Sequence, residues 1–63
     1  MVGPSVFAGV RSRYRKLHGR ECKASNEEIA ALWIKAKQEL GLHRGTRGRA
    51  VRPCYDLVVS RLN

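Results

Sequence analysis

Apolar residues recur at helical spacing in three runs along the chain. The clearest is "ASNEEIAALWIKAKQELGL", Ala24 to Leu42. Ile29, Leu32, Trp33, Ala36 and Leu40 fall at i, i+3, i+4, i+7 and i+11, which places them on one stripe of a helix. Ser25 stands before this stripe, with Glu28 three residues on, the spacing of a capping box. Glu27 and Glu28 also suit the positive end of a helix dipole. Gly41 fits a left-handed cap, with Leu42 folding back on the last turn. The pattern predicts a helix over about residues 26–40.

The run "GPSVFAGVRSRYRKLHG" predicts a second helix over about residues 5–18, with Phe7, Val10, Tyr14 and Leu17 on one face. Pro4 is tolerated in a first turn, Gly3 or Ser5 is the candidate cap, and Gly19 is the candidate terminator. Gly9 counts against this helix, by about 1 kcal/mol relative to alanine. The last run, "AVRPCYDLVVSRLN", places Val51, Cys54, Tyr55, Val58 and Leu62 at helical spacing. Pro53 suits a first turn, so a helix over about 53–62 is expected. A strand is the rival, because Tyr55, Leu57 and Val59 alternate in a segment rich in β-formers.

These runs describe one small all-α domain spanning residues 1–63, with three helices and a basic Arg/Gly loop over 42–50. The expected core is Phe7, Val10, Tyr14, Leu17, Ile29, Leu32, Trp33, Leu40, Val58 and Leu62. A chain of 63 residues buries a thin core, so completion by a homodimer, a larger assembly or a partner is expected.

Charge changes this picture most. Thirteen Lys and Arg, nine of them Arg, stand against five Asp and Glu, giving +8. Arginine's planar fork matches phosphate bidentately and stacks on bases. Such an excess is a common footprint of nucleic-acid binding. The candidate contacts are Arg11, Arg13, Arg15, Lys16 and Arg20 in and after the first helix, and Lys35 and Lys37 in the second. Arg44, Arg47, Arg49 and Arg52 follow in and after the loop. Arginines next to glycine let backbone N–H groups approach phosphate, and "RGTRGR" resembles RGG-type segments that bind RNA with little sequence preference. The gap from Leu40 to Pro53 is too long for a compact helix-turn-helix, so contact with the backbone is expected rather than base reading. Phe7, Tyr14, Trp33 and Tyr55 lie on apolar faces and read as core; Tyr14, inside "RSRYRK", is the candidate for base stacking.

Other chemistry is weakly marked. Cys22 and Cys54 read as two independent thiols; a disulfide between them, or a zinc set with His18 and His43, lacks recognised spacing. No paired carboxylates, nucleophile elbow or nucleotide loop occurs, so no catalysis and no cofactor are expected. There is no basic n-region before an apolar run and no run near ~20 apolar residues. The expected setting is intracellular (cytoplasm, nucleus or virion), not secreted and not membrane-bound.

The order of an early aromatic, basic residues, "SNEEI" and Trp33 followed by lysines looks like the first two helices of the HMG-box family, over at most half the chain. That family's long third helix and its Lys/Pro/Tyr segment are not visible, and the chain is not assigned to it. The sequence thus points to a small basic protein that contacts the nucleic-acid phosphate backbone largely without sequence specificity, RNA slightly ahead of DNA. The rival is a phage- or virus-type accessory subunit or inhibitor that docks on an acidic protein surface.

Overall fold

The computed structural model describes residues 2–43, 45 and 48–62. It is all-helical among these residues: α1 (Pro4–His18), α2 (Asn26–Leu40), a short 3-10 turn (Gly48–Val51) and α3 (Arg52–Arg61). The expected helices are present within a residue or two of their predicted ends. The last run is a helix and not a strand, and Pro53 sits in its first turn, where its missing N–H costs no hydrogen bond. The 3-10 turn was not anticipated. It occupies the end of the predicted loop and leads Val51, which is buried, into α3.

Local chemistry sets the ends. The Ser25 hydroxyl accepts a hydrogen bond from the Glu28 backbone N–H at 3.2 Å. At the other end Gly41 is left-handed at φ 66°, its N–H donates to the Gln38 carbonyl, and the Leu42 N–H donates to the Lys37 carbonyl. This pair of bonds is a Schellman closure. Gly19 closes α1 at φ 67°, donating to the Arg15 carbonyl. Gly3 takes the N-cap position of α1 without a side-chain bond, and Pro4 is the first helical residue.

The shortest helix holds the domain together. α3 packs on α2 most extensively and on α1 next, while α1 and α2 touch less. Val10 and Tyr14 from α1 meet Ile29, Trp33 and Ala36 from α2 around Cys54, Val58, Val59 and Leu62, with Val51 at the edge. Phe7 and Leu32 are half-buried against this cluster. Two expected core residues lie outside it: Leu17 is 67% exposed and Leu40 is 40% exposed. Both sit in the last turns of their helices. Their azimuth matches the buried stripe, yet neither is covered.

Gly9, read from sequence as a weakness, is a close-approach position. A Cβ built there would lie 2.7 Å from Tyr55 Cε1 and 3.1 Å from Cζ and Oη. The Tyr55 ring is in turn packed edge-on against Trp33, with centroids 4.7 Å apart. Gly9→Ala therefore sets a helix-propensity gain of about 1 kcal/mol against an overpacking cost of about 1–3 kcal/mol. The expected result is a lower melting temperature in the wild-type background. In a Tyr55→Leu background, which removes the ring atoms concerned, the same substitution is expected to raise it. Equal shifts in both backgrounds would show that the ring contact does not restrict position 9.

Candidate nucleic-acid interface

The predicted basic contacts divide into those held by the fold and those left open. Arg11, half-buried on α1, reaches the start of α2. Its Nη2 donates to the Ala24 carbonyl at 3.2 Å and to the Asn26 side-chain oxygen. Arg13 donates to Asp56 at 3.2 Å, and its guanidinium lies over the Tyr55 ring, 5.1 Å from the centroid. Arg20 donates from Nε to the Tyr14 hydroxyl at 3.2 Å. These three were expected at the ligand; the structure also uses them to tie α1 to α2, to α3 and to the linker after α1. Lys35 exerts an electrostatic pull on the Glu39 carboxyl. Lys37 is half-buried and engaged within the fold.

Arg15, Lys16, Arg49 and Arg52 are exposed and have no side-chain partner among the described residues. Arg15 and Lys16 lie in the last turn of α1. Arg49 lies in the 3-10 turn and Arg52 at the first position of α3. Arg44 and Arg47, both predicted contacts, lie outside the described residues.

Sequence reasoning passed over Lys23. It is exposed, has no partner among the described residues, and lines two shallow clefts. One is a cleft of about 330 Å³ with Tyr14, Arg20 and Glu21; the other is a groove of about 750 Å³ running past Ser25 and Glu28 to Arg61 and Leu62. Its signal was its place in "RECK", directly after the basic end of the first helix. A third cleft, of about 430 Å³, is lined by Arg11, Ser12, Arg15, Glu21 and Cys22.

One further arginine has a structural contact. Arg61 grips Glu39 with both terminal nitrogens, joining the ends of α3 and α2. The hydrogen bond from Arg61 holds the Glu39 carboxyl below its ordinary range; desolvation opposes it, and Coulombic attraction from Arg61 and Lys35 adds to it. A lowered folded-state value means this contribution is complete above the ordinary carboxylate range. It is lost as pH falls through the lowered value.

The aromatic side chains do not form a stacking platform. Tyr14, the residue proposed for that role, is 2% exposed, and its ring packs on His18 at a centroid distance of 4.3 Å. Trp33 is buried and Tyr55 is half-buried beneath Arg13. A base has no open ring among these to lie on.

Both cysteines are free thiols. Cys22 is half-buried on the linker between α1 and α2. Cys54 is fully buried, its sulfur 3.8 Å from the Trp33 carbonyl, and burial pushes its thiol above the ordinary range. Among the described residues, no three His, Cys, Asp or Glu side chains come together in a metal-holding group. No helix among them is long and apolar enough to cross a membrane. No family model, curated protein or solved structure matches the chain.

Proposed function

We propose that this chain is a small basic nucleic-acid-binding protein that contacts the phosphate backbone largely without sequence preference, with RNA slightly ahead of DNA. The observation that carries this reading is the set of predicted contacts that stay exposed with no side-chain partner among the described residues: Arg15, Lys16, Arg49 and Arg52. A fold that uses Arg11, Arg13, Arg20 and Arg61 as internal ties still leaves these side chains to solvent. Burial of Tyr14 and Trp33 supports backbone contact over base stacking. The lean toward RNA rests on the Arg/Gly composition of residues 44–49. The protein acts as a binder and not as a catalyst. Assembly as a dimer or larger unit is part of the proposal, supported by exposed Leu17, Ile34 and Leu40.

Salt titration tests this reading. Four cations meeting phosphates give a log–log slope of about −3.6, so affinity for a generic duplex falls by about two orders of magnitude between 50 and 200 mM salt. Matched RNA and DNA duplexes report the preference, and light scattering on the same samples reports stoichiometry. Absence of binding at low salt overturns the reading and turns attention to an acidic protein surface as the partner.

A further inference from the structure

The cleft between the C-terminal half of α1 and the linker that follows it holds an arrangement beyond general basic charge. Arg11 and Arg15 stand one helical turn apart and line the same cleft, which Ser12 of the helix and Cys22 of the linker also line. Arg11 is anchored: both of its hydrogen bonds, to the Ala24 carbonyl and the Asn26 side chain, use Nη2. Its Nε and Nη1 are left to donate elsewhere. An arginine already fixed along one edge loses less freedom when its other donors engage an anion. Arg15 is exposed and has no side-chain partner among the described residues, so it is able to close on the same anion from the helix side.

We propose that this cleft is a seat for a single phosphate group, gripped by Arg15 and by the free edge of Arg11, with Ser12 donating a hydroxyl. The proposal rests on the nucleic-acid reading above and deepens it: the seat holds one backbone phosphodiester and so sets where the ligand's strand crosses α1. Two guanidiniums and a hydroxyl match the acceptor oxygens of a phosphate, for which charge-assisted, forked hydrogen bonds are the strong ones. Glu21 also lines the cleft and opposes the anion. It reduces the attraction for a small free phosphate, whereas a polymer held by further contacts at Lys16, Arg49 and Arg52 tolerates it. Glu21→Gln is accordingly expected to tighten binding.

Cys22 supplies a local readout, because its thiol lines the same cleft while Cys54 is fully buried and reacts slowly. Alkylation by iodoacetamide is followed by mass spectrometry on the intact protein and on peptides, in the presence of an RNA duplex or of millimolar inorganic phosphate. Binding of the duplex is measured by fluorescence anisotropy in the same mixtures. Saturating duplex is expected to slow Cys22 labelling about tenfold by closing access to the thiol. Arg15→Gln, brought to saturation at higher protein concentration, is expected to lose most of that protection.

Full duplex binding with undiminished Cys22 labelling overturns the seat. So does an Arg15→Gln protein that is saturated and still protected like wild type. Failure of the duplex to bind overturns the nucleic-acid reading instead. In that case the inorganic phosphate arm decides the seat alone: protection keeps it as a small-phosphate site, and unchanged labelling removes it.

Discussion

Trp33→Ala is expected to abolish the folded state at room temperature. Trp33 is the largest side chain in the core and is 6% exposed. Its ring meets Tyr55 edge-on at 4.7 Å, and its carbonyl accepts from the Cys54 thiol. It therefore joins α2 to α3, the pair of helices with the most extensive contact. Truncation of a buried Trp or Phe costs about 3–5 kcal/mol, through lost transfer free energy and the cavity left behind. A single core in a domain this small supplies roughly 3–5 kcal/mol in all. The two magnitudes match, so no margin is left. Far-UV circular dichroism should show low helicity and no cooperative thermal transition. Ile29→Val, which removes one methylene from the same buried cluster, costs about 0.5–1.5 kcal/mol and should retain a cooperative transition at lower temperature. A Trp33→Ala protein that melts cooperatively near the wild-type temperature would place the stabilising contacts elsewhere.

The contrast between Trp33 and Leu40 shows what the sequence makes legible. Both belong to one stripe with helical spacing, and the stripe correctly orients α2. Periodicity reports azimuth alone, and it does not say how far along the helix a partner extends. Leu17 and Leu40 share the azimuth of their buried stripes and still stand 67% and 40% exposed, so the stripe alone does not mark where burial ends. Caps were legible because they are local: Ser25 with Glu28, Gly41 with Leu42, and Pro53 in a first turn each depend on neighbours within a few residues. Gly9 was not legible, because its reason is the Tyr55 ring on a helix far along the chain. The same distinction divides the basic residues. Charge alone gave Arg11, Arg13 and Arg15 equal standing. Tertiary contacts with Asn26 and Asp56 separate the first two from the third. Arg61, which carries the same charge, is tied to Glu39 across the ends of two helices.

That division leads to the largest expected effect on binding. Replacing Arg15, Arg49 and Arg52 together with Gln should weaken duplex binding by about 500-fold at 0.1 M salt and make the salt slope shallower by about 2.7. Each phosphate contact contributes about 0.9 to that slope, and these three arginines are exposed with no side-chain partner among the described residues. Helicity and melting temperature should remain close to wild type, because none of the three side chains has a partner among the described residues. The decisive comparison is a second variant with the same change in formal charge, Arg13, Arg20 and Arg61 all replaced with Gln. Those arginines are already engaged by Asp56, Tyr14 and Glu39, so their loss should reduce affinity far less and barely alter the slope. A binding surface defined by which cations the fold leaves open predicts this inequality. Equal losses in the two variants would mean that the ligand responds to net charge alone, and the division of the arginines would then have no bearing on binding.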